Sequence, residues 1–379
     1  MTVRASAERS DARRPGKAQR MFYGTLKVRN SFLAVVLRAC GALVVSSFFV
    51  TAPFGVVKPQ STNTSPSQVS QLKERVRSPD ADDAALTEAV ALGQSLINEK
   101  RFAEASELFA AVLEKNPSHP IALYGAALTT FNLGKTAEAE PLARAAVTAS
   151  TLADKTSITP AERMRAADAL VLLAVVLAVR GDDPGALKSA QQAVTTAPDH
   201  FDAQFTLGRA FYTVSDMPQA VKAFRTAVLL NPSDQRALFF LGTTLERAGD
   251  LEGALKTYRQ LVEKQPQAAQ GHMGLGILLV RRGGAQAEEG VEELKRAIAI
   301  EPNLYEARVT LGRTLVARGR AQESIEHLQR AAELAPKNPE PQYQLSLAYR
   351  KLRRYDKAAE ATAAVKRIHE ARRASPRNP

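Results

Sequence analysis

Proline recurs along this chain at a nearly fixed interval, at Pro198, Pro232, Pro266, Pro302 and Pro336, in successive steps of 34, 34, 36 and 34. Pro117 stands before Pro198 by two such steps and a short insertion. Proline cannot continue a helix, so it suits the end of a helical unit. A period in this range means that one supersecondary unit is stacked on copies of itself, because a unit so small cannot bury its apolar face alone. Such a stack grows in one dimension, and 379 residues need not divide into two ordinary domains.

Hydrophobic residues make up 45% of the chain, aromatics only 6%, and Trp is absent. That Ala- and Leu-rich balance suits closely packed helices. The net charge of +12 is concentrated at the ends. Residues 1–31 carry +6 and residues 350–379 carry +7, which leaves everything between them at −1. The overall charge is therefore a poor argument for nucleic acid, since the body of the chain is close to neutral. The one cysteine, Cys40, lies outside the periodic region, so the repeats are expected to have no disulfide, thiol nucleophile or Cys-based metal site.

Residues 31–50, SFLAVVLRACGALVVSSFFV, follow a basic stretch, residues 1–31. Their eleven Leu, Val and Phe residues favour a bilayer by roughly 3–7 kcal/mol, and Arg38 opposes by about 2.5–3.5 kcal/mol. Insertion is the expected outcome. The preceding positive charge predicts a cytoplasmic N-terminus and repeats on the far side. Residues 32–52 read either as a cleaved signal peptide, with small residues around Val50–Ala52, or as a retained signal anchor. Export to the periplasm, or anchoring in the inner membrane with the repeats outside the cytoplasm, follows as the expected location. Residues 53–85, with Pro53, Pro59 and Pro66 among Ser, Thr, Asn and Gln, are expected to form a flexible linker.

Placing each terminal proline at position 32 of a 34-residue frame gives eight repeats, starting near Leu86, Pro120, Ala167, Phe201, Gln235, Ala269, Tyr305 and Pro339. Position 8 is then Gly or another small residue throughout, as in Gly93, Gly208, Gly242, Gly276 and Gly312. Position 20 is equally small, from Ala105 to Ala358. Small residues at both places are what two packed helices require where their backbones approach most closely. Gly134, Gly181, Gly249 and Gly319 fall at the turn between the two helices, where a positive φ is expected. Asp183-Pro184, Ser215-Asp216 and Asp250 read as caps of second helices. Thr159-Pro160-Ala161-Glu162 is a capping-box signal that starts the third repeat early, near Pro160.

Leu207-Gly208, Phe211, Ala220, Phe224, Ala227 and Pro232 follow one another in the pattern of the tetratricopeptide repeat, which the chain resembles over about residues 86–370. The repeats depart from that pattern in lacking Trp near position 4. The resemblance implies an all-α fold, a right-handed α-solenoid of about eight helix-turn-helix units over residues 86–373, with residues 374–379 as a tail. It also implies that first helices line a concave groove through positions 2, 5, 9 and 12. The candidate partner-binding residues are then Tyr124, Phe131, Phe205, Arg209, Tyr212, Phe239 and Arg313, with Arg247 beside them. Arg209, Tyr212 and Phe239 form the expected hot spot, since Arg and aromatic residues anchor most interfaces. The Asn and Lys clamp by which some relatives grip a C-terminal carboxylate is not matched. Val90, Gln94, Gly125, Asp168 and Leu172 stand at those positions.

No catalytic constellation is legible. His119, His200, His272, His327 and His369 lack paired metal-ligand spacing and read as surface or loop residues. No cofactor or metal site is expected. These features imply a non-enzymatic scaffold, exported or membrane-anchored, that binds a protein or peptide in its groove, with attachment through residues 32–50. The alternative is a basic-tailed surface protein that binds anionic lipid or nucleic acid through Arg350–Arg377.

Overall fold

The computed structural model describes residues 65–151 and 159–374. The basic segment 1–31, the apolar segment 32–52, residues 53–64 of the expected linker and the end of the tail lie outside them. Among the described residues there are seventeen helices and no strand. None of these helices is long and apolar enough to cross a membrane. The chain divides into two compact units, Met1–Thr196 and Ala197–Pro379.

The N-terminal unit contains α1 (Pro66–Arg77), α2 (Asp83–Asn98), α3 (Phe102–Lys115), α4 (Pro120–Asn132), α5 (Thr136–Thr151), α6 (Pro160–Arg180) and α7 (Asp183–Thr196). The C-terminal unit contains α8 (Phe201–Thr213), α9 (Met217–Leu230), α10 (Gln235–Ala248), α11 (Leu251–Lys264), α12 (Ala269–Arg282), α13 (Gln286–Ile300), α14 (Tyr305–Ala317), α15 (Ala321–Leu334), α16 (Glu340–Lys351) and α17 (Tyr355–Ala374). From α2 onward the helices pair in succession, and each pair is one frame of the repeat. The sixth is α12–α13, with the longer turn at Gly283-Gly284 that its wider proline interval requires. Helix α6 starts at Pro160, and the Thr159–Glu162 capping box is formed in both directions.

Helix α1 corrects the expectation of a flexible linker through residue 85. Ser65 caps it in a full capping box with Gln68. Its Val69, Leu72 and Val76, at helical spacing, are buried in the core of the first repeat. Burial of each such side chain is worth about 1.5–3 kcal/mol. Around this apolar seat run Lys73–Glu107, Arg75–Glu88 and Arg77–Glu114 ion pairs at 2.7, 2.6 and 2.8 Å. Exposed pairs of this kind contribute about 0.2–1 kcal/mol each, so they orient the helix more than they hold it. A stack must finish its open face, and α1 does so at this end. At the other end, α17 buries only Ala358 and Ala361 fully, and its outer side is polar.

The glycines of the frame act by admitting a large side chain, a ring in several repeats and Leu328 against Gly312. A Cβ on Gly93 would lie 2.6 Å from Phe109 Cζ, and one on Gly125 would fall closer still to the same atom. Phe109 is thus gripped between α2 and α4. Tyr258 is gripped likewise between Gly242 and Gly274, at 2.6 and 2.5 Å from its Cε1. In α12–α13 the residues at positions 8 and 20 are both glycine. There a Cβ on Gly276 would meet Gly290 O at 2.9 Å, and one on Gly290 would meet Gly276 O at 2.8 Å, so backbone lies on backbone.

The turn inside the repeat has one feature in common eight times, though in the sixth it is longer and Gly283 has ψ −159°. Residue 15 of every frame has positive φ: Gly134, Gly181, Gly249, Gly283 and Gly319 between 75° and 88°, Lys100 at 60°, Ser215 at 65° and Arg353 at 57°. The second helix is then capped from the next residue where that is Asp. Asp182, Asp216 and Asp250 accept from Gly185 N, Gln219 N and Gly253 N at 2.9, 3.3 and 2.8 Å. In the third repeat this assigns the cap to Asp182 rather than the expected Asp183, which is the first residue of α7.

Two outcomes follow. An L residue in the left-handed region is strained, while glycine gives up more chain entropy on folding. Lys100→Gly and Ser215→Gly should each raise stability by roughly 0.5–1 kcal/mol in chemical denaturation. A fall in the midpoint would contradict the turn geometry. Gly208, where a Cβ would meet the Phe224 ring at 2.7 Å, tests the packing rule. Gly208→Leu should cost about 1–3 kcal/mol by overpacking. Because repeats couple to neighbours, the lost hydrogen-exchange protection should centre on α8–α10.

Candidate functional site

Within each unit, first helices touch the first helices of adjoining repeats: α2–α4–α6 in one, α8–α10–α12–α14–α16 in the other. They line the more tightly curved layer, and their outward positions form the candidate binding surface. In the N-terminal unit the apolar residues at these positions, such as Val90, Leu128 and Val175, are buried, and Thr87, Gln94 and Asp168 are left accessible. Phe131 is 5% exposed and belongs to the core, so it is withdrawn as a partner contact, while Tyr124 is half-buried against the same core.

The C-terminal unit also departs from expectation in its aromatic cluster. Phe205 is fully buried and Tyr212 is 2% exposed, which removes both from the expected hot spot. The cause is one residue. Position 6 of the fifth repeat is Phe240, where the second and sixth repeats have Gly125 and Gly274. Its ring stacks on Phe224 with centroids 5.6 Å apart and meets Phe205 and Tyr212 edge-on at 5.5 and 6.5 Å. Offset and edge-on ring pairs of this kind are each worth about 0.5–1.5 kcal/mol beyond burial. Two inner positions are thereby drawn into the core.

Cations close over this cluster. The Arg236 guanidinium lies 5.2 Å from the Phe205 centroid and 5.6 Å from that of Phe201, and pairs with Asp234 at 2.9 Å. Arg247 lies 4.4 Å over the Tyr212 ring. Such contacts are worth about 0.5–2 kcal/mol. Tyr258 shares a hydrogen bond with Thr243 at 3.0 Å. Burial, and then the Glu246 carboxylate, push its phenol well above the usual range, so it stays protonated. Glu246 is tied to Arg281 at 2.6 Å.

What remains at the surface is a different set. Phe239 is half-buried, at 6.3 Å from the Tyr258 ring. Met273, Ile277 and Val280 are half-exposed at helical spacing along α12. Arg209 is half-buried, and Arg247 and Arg313 are exposed. Tyr343 is 50% exposed, and Arg350 is exposed. The inner surface thus has an apolar middle on α10 and α12 and becomes aromatic and cationic toward α16. It can hold an apolar or amphipathic segment. Among the described residues no cluster of three or more His, Cys, Asp or Glu is placed to hold a metal ion.

Position 4, where no repeat has Trp, has a role that sequence reasoning did not assign. Gln204, His272 and Arg308 donate from Nε2, Nε2 and Nε to the carbonyls of Pro198, Pro266 and Pro302 at 2.8, 3.0 and 2.6 Å. Each clips a first helix to the proline that ends the preceding repeat. The signal was a polar residue at an otherwise apolar position, at a constant distance after that proline. The histidines also differ from expectation. His200 and His272 are buried, and His119 and His200 cap helices through Nδ1. Burial, and then Arg308, hold His327 below the usual imidazole range.

Models of the tetratricopeptide repeat match residues 90–154, 205–269, 241–304 and 312–352, together more than half of the chain. No curated protein matches it in sequence. Among solved structures, a tetratricopeptide repeat protein from Parabacteroides merdae is similar with 15% identity and a TM-score of 0.50 over 69% of this chain and 98% of that one. The C-terminal part of a TPR repeat-containing protein from Cytophaga hutchinsonii gives 15% and 0.50 over 68% and 99%. Pseudomonas aeruginosa pilF gives 18% and 0.50 over 55% and 94%. At these identities the likeness concerns the fold. With the matched models, the helix pairs and the ring-admitting glycines in agreement, this chain belongs to the tetratricopeptide repeat family.

Proposed function

We propose that this chain is a non-enzymatic scaffold, exported or held in a membrane by residues 32–52, that binds a partner protein through the first-helix surface of its C-terminal unit. Tetratricopeptide repeat proteins are generally protein-interaction scaffolds, and the repeats occupy most of this chain. The observation that carries the reading is the stripe Phe239, Met273, Ile277 and Val280, left half-exposed in repeats whose other large apolar side chains are mostly buried. Apolar residues grouped on one face and flanked by arginine are the composition of an interface centre. A helical or extended segment of the partner lies along α10 and α12, with Arg209, Arg247 and Arg313 at its borders.

The test is capture by proximity labelling of the native chain, compared with Phe239→Ala plus Ile277→Ala. The partner's affinity should fall by about 2 kcal/mol or more, with helicity unchanged. A partner held equally well by the variant places the site elsewhere. Tyr212→Ala is unsuitable, because it opens the core.

The location has its own test. A reporter active only after export, fused after Gly271, should be active because positive charge precedes residues 32–52. Activity only of a cytoplasmic reporter at that site would remove export and leave the scaffold reading standing.

A further inference from the structure

The turn of the last repeat has lost the acids that neutralise the same turn elsewhere. A basic residue at position 16 pairs with a glutamate at position 19 in the first, second and seventh repeats. The pairs are Arg101–Glu104 at 2.7 Å, Lys135–Glu138 at 3.7 Å and Arg320–Glu323 at 2.7 Å. Arg320 also reaches Glu288 of the preceding repeat at 2.7 Å. In the eighth repeat position 16 is Arg354. Position 19 there is Lys357, and the counterpart of Glu288 is Gln322. The neighbouring pair is lost in the same way. Arg281 of the sixth repeat meets Glu246 of the fifth at 2.6 Å. Its counterpart Lys351 faces Val316 and donates to that residue's carbonyl oxygen at 2.7 Å.

Arg350, Arg353 and Arg354 are therefore exposed, with no carboxylate in ion-pair reach among the described residues. The two most exposed aromatic side chains of the described residues, Tyr343 at 50% and Tyr355 at 67%, lie in this same repeat. Uncompensated arginines beside the exposed Tyr355 have the composition of a protein hot spot, and guanidinium forks match carboxylates in bidentate geometry.

The geometry points to a docking subsite for an acidic segment of a partner protein at the α16–α17 turn, formed by Arg350, Arg353, Arg354 and Lys357 and flanked by Tyr355. It rests on the scaffold reading and gives the partner a chemistry: carboxylates beyond the segment that lies on α10 and α12. The partner's Asp or Glu residues take the places that Glu288 and Glu323 fill one repeat earlier.

The repeats themselves supply the test variant. Lys357→Glu gives Arg354 the internal partner that Arg101 and Arg320 have, and Arg353→Gly removes a charge at a left-handed turn where glycine is at ease. Lys357→Glu also gives up the ammonium 5.9 Å over the Tyr349 ring, so circular dichroism and the denaturation midpoint check that the double variant stays folded. The full chain in neutral detergent is titrated against a short fluorescent peptide of alternating Glu and Ala, with its Gln–Ala counterpart as control. The Glu peptide should bind, weaken steeply with salt, and lose about tenfold or more on the double variant. Four results overturn the subsite. The first is no binding by the native chain, and the second is equal binding of the Gln peptide. The third is tighter binding of duplex DNA or phosphatidylglycerol vesicles lost on the same variant, which assigns the turn to phosphates. The fourth is peptide lost by Phe239→Ala plus Ile277→Ala and kept by the turn variant, which leaves the scaffold reading intact and this subsite wrong.

Discussion

A large side chain set against a glycine of the facing helix is the contact that fixes helix spacing in most of the repeats, and at two joints it is an aromatic ring held between two glycines. Phe109 between Gly93 and Gly125, and Tyr258 between Gly242 and Gly274, each join the second helix of one repeat to first helices on both sides. The gain is dispersion and burial, and it exists only while neither glycine has a Cβ. One side chain thus sets the spacing of three helices. In the sixth and seventh repeats Leu294 and Leu328 take the place of the ring against Gly276 and Gly312, so the same position keeps a large side chain opposite a glycine.

Where the rule is relaxed, the surface changes. At Phe224 the second glycine is replaced by Phe240, and the contact becomes a stack of two rings. That stack draws Phe205 and Tyr212 inward and leaves Phe239 at the surface. The character of the binding face is therefore decided one layer beneath it, by which repeats use glycine at position 6.

Much of this architecture was legible in the sequence because it depends on residues with strong backbone preferences. The glycine turns, the start of α6 at Pro160 and the Thr159–Glu162 capping box were all visible for that reason. The positive φ of Lys100, Ser215 and Arg353 was not, since nothing in their composition signals it and only the frame does. Helix α1 was hidden for the opposite reason. Its Ser, Gln and Pro content resembles a linker, and its three apolar residues become informative only against a seat that the first repeat provides. Of the expected site, the arginines stayed at or near the surface and Phe239 remained partly open. Phe131, Phe205 and Tyr212 did not, because an inward position does not say how deep the neighbouring side chain is.

The contact of Gly276 with Gly290 makes the stiffness of the C-terminal unit uneven. Elsewhere helices meet through rings and aliphatic side chains, which slide and change rotamer under small loads. In α12–α13 the missing Cβ atoms would meet backbone at 2.8–2.9 Å, with Leu294 and Val280 side chains at the same distance, so there is little room left to take up a shift. This hairpin acts as a rigid link between more compliant joints. The apolar stripe of α12 rides on this tightly packed hairpin, while Phe239 and Tyr343 are carried by other repeats whose helices meet through side chains. A partner lying across all three meets a fixed centre with adjustable ends, so its length tolerance is set by the joints and its register by the hairpin.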